Sequence, residues 1–407
     1  MKITCVGAGP AGLYFAISAK LRDAGHEITI IERDPPGATY GWGVVFWDNL
    51  LDALYSNDAE SAEQIRGAST LWQEQQLVLN GSDIGYMGGY GWSVNRATLL
   101  DVLAERATDL GVDIQYRREV ADLDEFADSD LIIGCDGANS KVRSLHEQEF
   151  GTQVDTGRNP YIWLGTDKVF DRFTFAFEQT SAGWIWFHAY PSSAGVSTCI
   201  VETTEPTWRA LGFDSMEGED STRLLEKVFE GPLDGHSLVS SSRGKPASWQ
   251  RFIQVLNRTW RHENVMLLGD AAHTTHFTIG SGTRLAIMDG LMLAQKLHEH
   301  DYLDTGMRDF DHQGRNVLRT MQAAGRTSMA WFEQVERYLD RSAADVAFAM
   351  ACRHGYQPAW QYQMHRAAQV PLVRRGLRYM ESGQRWYLAR RRGESLRTRP
   401  QRVMPQK

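Results

Sequence analysis

The sequence predicts an α/β fold: a doubly wound parallel sheet, interrupted by a β-rich insert and followed by C-terminal helices. Three observations predict it. A glycine turn, GAGPAG at residues 7–12, joins an apolar strand to a helical stretch. Between residues 150 and 260 the chain changes to aromatic, strand-like runs: YIWLGT, FTFAFE, GWIWFHAY and STCIVE. ENVMLLGDAAH then returns to the strand-then-glycine pattern, and from Thr283 the spacing is helical almost to the end.

The elements follow in order. Lys2 to Val6 is a strand, Ala11 to Ala24 a helix and His26 to Ile31 a second strand, a βαβ unit of about 30 residues. Residues 34–49 are loop-like, rich in Gly, Pro and aromatics. Asn80-Gly81 marks a turn, and Asn95 caps a helix running to Leu110. Asp113 to Val120 and Asp130 to Cys135 are strands. The expected organisation is a discontinuous first domain (1–150 with 260–300), an inserted β-rich domain (151–259 with part of 40–95) and a C-terminal helical region with a basic tail (301–407).

Bulk composition narrows the function classes. The 407 residues suffice for two or three domains, and 42% apolar with 23% charged is ordinary for a globular chain. A net charge of −8 gives no reason to expect nucleic acid. That charge is uneven: His365 to Lys407 holds twelve Lys/Arg against two Glu. The stretch reads either as a solvated helix and tail or as a clamp for an anionic group, such as a substrate phosphate or another subunit's acidic face. Cys5, Cys135, Cys199 and Cys352 lack metal-ligand spacing, so no metal is expected and the thiols read as reduced. No run approaches the roughly 18 apolar residues of a membrane span. No signal peptide precedes the first strand, so the expectation is a cytoplasmic protein with no membrane partner, for which an oligomer remains open.

The motifs carry the chemistry. Gly7 permits the tight turn, Gly9 lets the backbone approach a pyrophosphate, and Gly12 allows close helix–strand packing, with Pro10 and Ala11 opening the helix. Glu32 falls twenty residues after Gly12, where a carboxylate accepts bonds from ribose hydroxyls, and Arg33 follows it. An acid there repels a 2′-phosphate, so the site suits FAD or NAD and not NADP. CDGANSKVR (135–143) is a second glycine turn with an acid and a trailing arginine. Gly269-Asp270 ends the strand NVMLLGD, where α/β sheets bind ligands. Gly280, Gly282 and Thr283 form another backbone cradle at a helix start, able to hold an electron-rich oxygen of a flavin ring.

GAGPAG, CDGANSKVR and GDAAH…GSGTRLAIMD, in this order, resemble the group A FAD-dependent aromatic hydroxylases over roughly residues 1–300. GWGVVF, GRNPYIWLGT and HAYPSS…STCIVE resemble the branch with salicylyl-CoA 5-hydroxylase and the violacein-pathway tryptophan hydroxylase, and hydroxylases of other antibiotic pathways. The resemblance implies the aromatic hydroxylase fold: a Rossmann-like FAD-binding domain carrying an inserted substrate domain. It implies tightly but non-covalently bound FAD on Gly7–Gly12, Glu32 and Asp270, with Arg96 near its phosphates. It further implies that Asp136, Gly137 and Arg143 serve both FAD and a transient NADPH (or NADH). The sequence departs from the wider family at Phe277, usually Pro, and at Arg284, usually Asn.

The implied reaction is single-component hydroxylation, in which reduced flavin captures O2 as a C4a-hydroperoxide. The protein must exclude water and aim the oxygen at an electron-rich ring: a phenol, aniline, indole or hydroxypyridine, free or linked to CoA or a carrier. A polar group near the ring hydroxyl would take its proton. Candidates for that role are His188 and Tyr190, alternating on one face of GWIWFHAY, and His276, beside the flavin cradle. Trp42, Val44, Trp163, Thr166, Trp186 and Phe277 are the candidate substrate contacts. GWGVVF, residues 41–46, reads as a mobile loop beside the flavin or as a plain tight loop.

Three rivals fit less of the chain. A flavin halogenase would share GWIWFHA with the WxWxIP signature, but His188-Ala189 replace Ile-Pro, and no lysine occurs between Lys20 and Lys141, where that family needs one. An NAD-dependent dehydrogenase explains GAGPAG and Glu32 but leaves the Asp270 motif idle. A non-catalytic flavin-binding protein is suggested only by the altered Phe277.

Overall fold

The structure, a computed structural model, describes residues 1–394 apart from 39–40, 243–244, 354 and 356. The first sheet has six strands in the order Arg261–His262, Val265–Leu267, Leu131–Gly134, Lys2–Val6, Glu27–Glu32 and Asp113–Tyr116. Its last five run parallel. Parallel central strands are covered on both faces, which is why they read as unbroken apolar runs. The helix Pro10–Arg22 packs on Gly282–Glu299, and Gly290 permits it: a Cβ there would lie 2.6 Å from the Ala11 carbonyl oxygen.

The second sheet is longer. Its order is Leu238–Val239, Gln153–Thr166, Ser197–Thr203, Gly183–Pro191, Phe173–Thr180, Thr70–Leu79, Asp83–Asn95 and Gly43–Phe46, with Gln250–Leu256 also pairing to Gln153–Thr166. Thr70–Leu79 joins Phe173–Thr180 in parallel, so strands from residues 43–95 complete the sheet of the inserted segment. Along Gly183–Pro191 the pleat sorts side chains by parity. Ile185, Phe187 and Ala189 enter a core with Leu225 and Phe229. Trp186 enters the opposite core with Trp331 and Phe332, and His188 stacks on Phe332 at 5.3 Å.

Local chemistry sets the connections. Asn80 and Gly81 have φ of 46° and 68°, the left-handed pair that a two-residue hairpin turn requires. Asn95 Oδ1 accepts from the Ala97 and Thr98 amides at 2.9 and 3.4 Å, capping the helix Arg96–Asp109. Gly43–Phe46 is a fully buried edge strand. The mobile-loop reading of 41–46 therefore gives way to a strand preceded by a bend at Gly41 and Trp42.

Helices Gly282–Glu299, Leu303–Glu333, Ala343–Cys352, Ala359–Ala368 and Pro371–Arg392 close the chain. The last two bury no residue. Polar links hold them: Arg374 and Arg378 lie 3.4 and 3.3 Å from Glu74, and the Gln369 amide bonds the Tyr86 backbone in both directions. Arg392 reaches Asp48 and Asp52. Among the described arginines of the basic stretch, Arg366, Arg374, Arg378, Arg391 and Arg392 pair with acids of the same chain. Residues 395–407, the end of that tail, lie outside the described residues. Among the described residues, no helix is long and apolar enough to cross a membrane.

Candidate active site

The glycine turn forms because nothing larger fits. Gly7 has φ +113°, and a Cβ on it would stand 2.5 Å from the Cys135 carbonyl oxygen. A Cβ on Gly12 would stand 2.6 Å from Cys135 Sγ. The helix Pro10–Arg22 begins at Gly9 with no side chain capping it, so its first N–H groups are open to an anion. Glu32 fixes the neighbouring loop: its carboxylate accepts from the Ala8 and Asp34 amides at 2.8 and 2.9 Å. Glu32 and Arg33 both line the cavity that these elements surround.

The second glycine turn is stapled from within. The Asp136 carboxylate accepts from Ser140 Oγ at 2.5 Å and from the Lys141 amide at 2.6 Å. Arg143 is buried and donates to the Ala138 and Ala271 carbonyls at 2.6 and 3.1 Å. It thereby ties the turn to the Gly269–Ala271 segment. Gly137, with φ +86°, has open space where a side chain would stand. Asp136, Gly137 and Arg143 all border the cavity.

Gly269-Asp270 is held from behind. Asp289 Oδ2 accepts from the Gly269 amide at 3.0 Å and lies 2.8 Å from His273 Nε2. Asp270 follows the buried stretch 265–269 and is itself exposed to the cavity that it lines. Burial pushes its pKa up, while His273 and Arg96 pull it down. Arg96, at the first turn of its helix, is pushed down by burial and supported by Asp270. Its Nε is buried with no hydrogen-bond partner. Gly280 has φ +61°, with Val45 Cγ2 only 2.7 Å from a Cβ placed there. Gly280, Gly282 and Thr283 line the cavity at the start of the helix Gly282–Glu299, which no side chain caps.

These cradles open into one cavity of about 1960 Å³. Small-ligand sites usually span roughly 300–1,000 Å³, so this one has room for a dinucleotide and a second molecule. Two uncapped helix starts, open glycine backbone and the unpartnered Arg96 Nε fit the phosphates and polar groups of FAD.

The far part of the cavity is a ring lobe. Tyr161, Trp163, His188, Phe175 and Phe277 line it, with Val44 and the Tyr190 ring. Gly41, with φ +81°, makes room for Trp163, whose indole would lie 2.8 Å from a Cβ there. Phe277 lies 4.6 Å from Tyr161 and 5.7 Å from His188 between ring centres. Behind His188 stands the buried carboxylate of Glu202, 3.7 Å from Nε2. Asn159 Nδ2 and Trp186 Nε1 donate to Glu202 at 2.8 and 3.2 Å.

Several expected site residues lie elsewhere. Trp186 is fully buried, stacked between Phe177 and Phe332, and does not line the cavity. Thr166 is buried and donates to the Ser237 carbonyl. The Trp42 indole covers Gly165 outside the cavity, while its carbonyl accepts from the Arg96 amide at 2.9 Å. His276 lies behind Phe277 against Phe252, and its Nδ1 pairs with Thr278 Oγ1 at 2.8 Å. Burial pushes it down to about 4, so it is neutral at neutral pH. The Tyr190 hydroxyl donates to the Gly43 carbonyl at 2.8 Å, and burial pushes its pKa up, so it is a wall and not a proton acceptor. Sequence reasoning gave no role to Glu202, Asn159, Asp289 or Arg353. A lone acid in the apolar run STCIVET was the signal for Glu202.

A family described as "FAD binding domain" matches residues 89–306. The chain is 37% identical over 359 residues to salicyloyl-CoA 5-hydroxylase of a Streptomyces species, covering 86% of this chain and 68% of that one. It is 33% identical over 345 residues to 3-hydroxy-4-methyl-anthranilyl-[aryl-carrier protein] 5-monooxygenase of Streptosporangium sibiricum, covering 84% and 93%. The fold resembles crystalline 2-methyl-3-hydroxypyridine-5-carboxylic acid oxygenase with a TM-score of 0.66 at 19% identity, over 88% and 93% of the two chains. With the cradles and the joined ring lobe, these matches make the chain a member of the FAD-binding-domain family, an FAD-dependent aromatic monooxygenase that uses NAD(P)H and O2.

Proposed function

We propose that the ring lobe takes an electron-rich aromatic ring of phenol, aniline, indole or hydroxypyridine type, and that the chain hydroxylates it. The observation that carries this reading is the continuity of one cavity from the glycine cradles to the aromatic walls around His188. Bound FAD supplies the activation of O2, with electrons from NAD(P)H. Gly7–Gly12, Glu32, Arg96, Asp270 and the Gly280–Thr283 segment hold it. The Asp136–Arg143 turn borders the same cavity and gives the visiting nicotinamide nucleotide its approach.

The chain's own residues then have three tasks. Tyr161, Trp163, Phe175 and Phe277 exclude water from the lobe. Val44 and Trp163 orient the ring. His188, backed by Glu202, accepts the proton of the ring hydroxyl as the ring is attacked. Coenzyme A and carrier-linked rings appear in the names of the two relatives, so thioesters belong among the substrates tried.

The test is oxidation of NADPH and NADH by the FAD-loaded protein against a panel of such rings, with H2O2 and a product 16 mass units heavier followed together. Ring-stimulated oxidation with little H2O2 and the heavier product supports the reading. Oxidation that no ring stimulates counts against it.

A further inference from the structure

Arg353 follows the helix Ala343–Cys352 and lines the cavity beside Phe348 and Ala351. Its Nε donates to Ser328 Oγ at 3.0 Å, Nη1 to the Met350 carbonyl at 2.7 Å, and Nη2 to the Thr278 carbonyl at 3.3 Å. All three acceptors are neutral. No acid offsets the guanidinium among the described residues. The residues outside that description include no Asp or Glu. Arg66 and Arg392 pair with acids, Glu394 and Asp48, whereas Arg143, like Arg353, donates to carbonyls alone.

A guanidinium keeps its charge at neutral pH, and a buried charge without a counter-charge is costly. Arg353 keeps unused N–H groups on both Nη1 and Nη2, the forked pair that matches a planar carboxylate. Its contact with Thr278 puts it next to Phe277 and the Gly280 cradle. Arg353 Cζ and the His188 ring both lie within 6.0 Å of the Phe332 ring centre. Both residues also line the one cavity, so a ring carrying a hydroxyl and an acid group has a common space in which to meet them.

We infer that Arg353 is the counter-ion of a carboxylate on the ring substrate, bound in the lobe that also holds His188. This rests on the ring-lobe reading above and narrows it. A thioester presents a neutral carbonyl and leaves the guanidinium without its anion, so the free acid is selected over the CoA- or carrier-linked form.

The experiment is a titration of the FAD-loaded protein, followed by flavin absorbance, with salicylate, 3-hydroxyanthranilate and indole-3-carboxylate, each against its methyl ester and its CoA thioester. Acids bind tighter than their esters by about 10- to 100-fold, the range for a hydrogen bond to a charged group. Arg353→Gln removes that preference while ester binding and FAD content stay unchanged, and Arg353→Lys keeps part of it. Equal binding of acid and ester, a preference that survives in Arg353→Gln, or no binding by any acid overturns the inference. Product analysis separates the two readings. Hydroxylated thioesters with idle acids remove the Arg353 assignment and leave the hydroxylase. Acids that bind, with no heavier product from any ring, leave Arg353 and remove the hydroxylase reading.

Discussion

The carboxylate of Glu202 lies 3.7 Å from Nε2 of His188, beyond hydrogen-bond reach, while Asn159 and Trp186 satisfy it from other sides. The pair is buried, and among the described residues no arginine or lysine forms an ion pair with it. His188→Asn should lower product formation about 100-fold at saturating ring, with flavin reduction by NADPH nearly unchanged. Glu202→Gln should lower kcat and leave KM close to wild type, because it acts through His188. A Glu202→Gln protein changed only in KM would assign Glu202 to packing.

Arg96 and Asp270 face each other at the cavity wall without a hydrogen bond between them. Arg96→Ala should weaken FAD binding by about 10- to 100-fold, as expected for a lost charge-assisted bond. Asp270→Ala should weaken it in the same direction. Titration of apoprotein with FAD, read by flavin fluorescence, checks both; unchanged FAD affinity would remove these residues from the cofactor site.

His276 is neutral in the fold because burial pushes its pKa down to about 4 from the ordinary 6.5. Between those values the unfolded chain takes up a proton that the folded chain refuses. Stability therefore falls as pH drops from 6.5 to 4, by about 3 kcal/mol from this residue. His276→Asn should flatten that part of the stability curve. Urea melts of both proteins at several pH values measure it, and parallel curves would contradict it.

Glu74 anchors the C-terminal arm. It sits at a bulge in its strand with φ +70°, its side chain nearly inaccessible, facing Arg172, Arg374 and Arg378. Glu74→Gln should destabilise the protein by about 1–3 kcal/mol and speed amide exchange in Pro371–Arg392. Exchange unchanged in that helix would show that the ion pairs do not hold it.

What was legible in the sequence was what local chemistry decides. The turn at Asn80-Gly81, the Asn95 cap and the strand–glycine–helix units each depend on residues within a few positions of one another. Alternation also placed Trp186, His188 and Tyr190 on one sheet face. It gave no hint that Phe332, from the helix Leu303–Glu333, would stack on both Trp186 and His188, of which His188 alone lines the cavity. Tyr190 was misread for the same reason, since its partner, the Gly43 carbonyl, lies 147 positions away. Arg353 belongs to no motif, and only the fold brings it beside Thr278.

The second sheet draws its strands from two stretches of chain, 43–95 and 153–256, separated by Asp113–Tyr116 and Leu131–Gly134 of the first. Thr70–Leu79 lies beside Phe173–Thr180, with Gly43–Phe46 at the far edge. The ring lobe is therefore not a cassette that can be lifted out between two cut points. A chimera that exchanges residues 151–259 alone would graft half a sheet onto a foreign edge. To transplant substrate choice between such proteins, segments 43–95 and 153–256 must travel together.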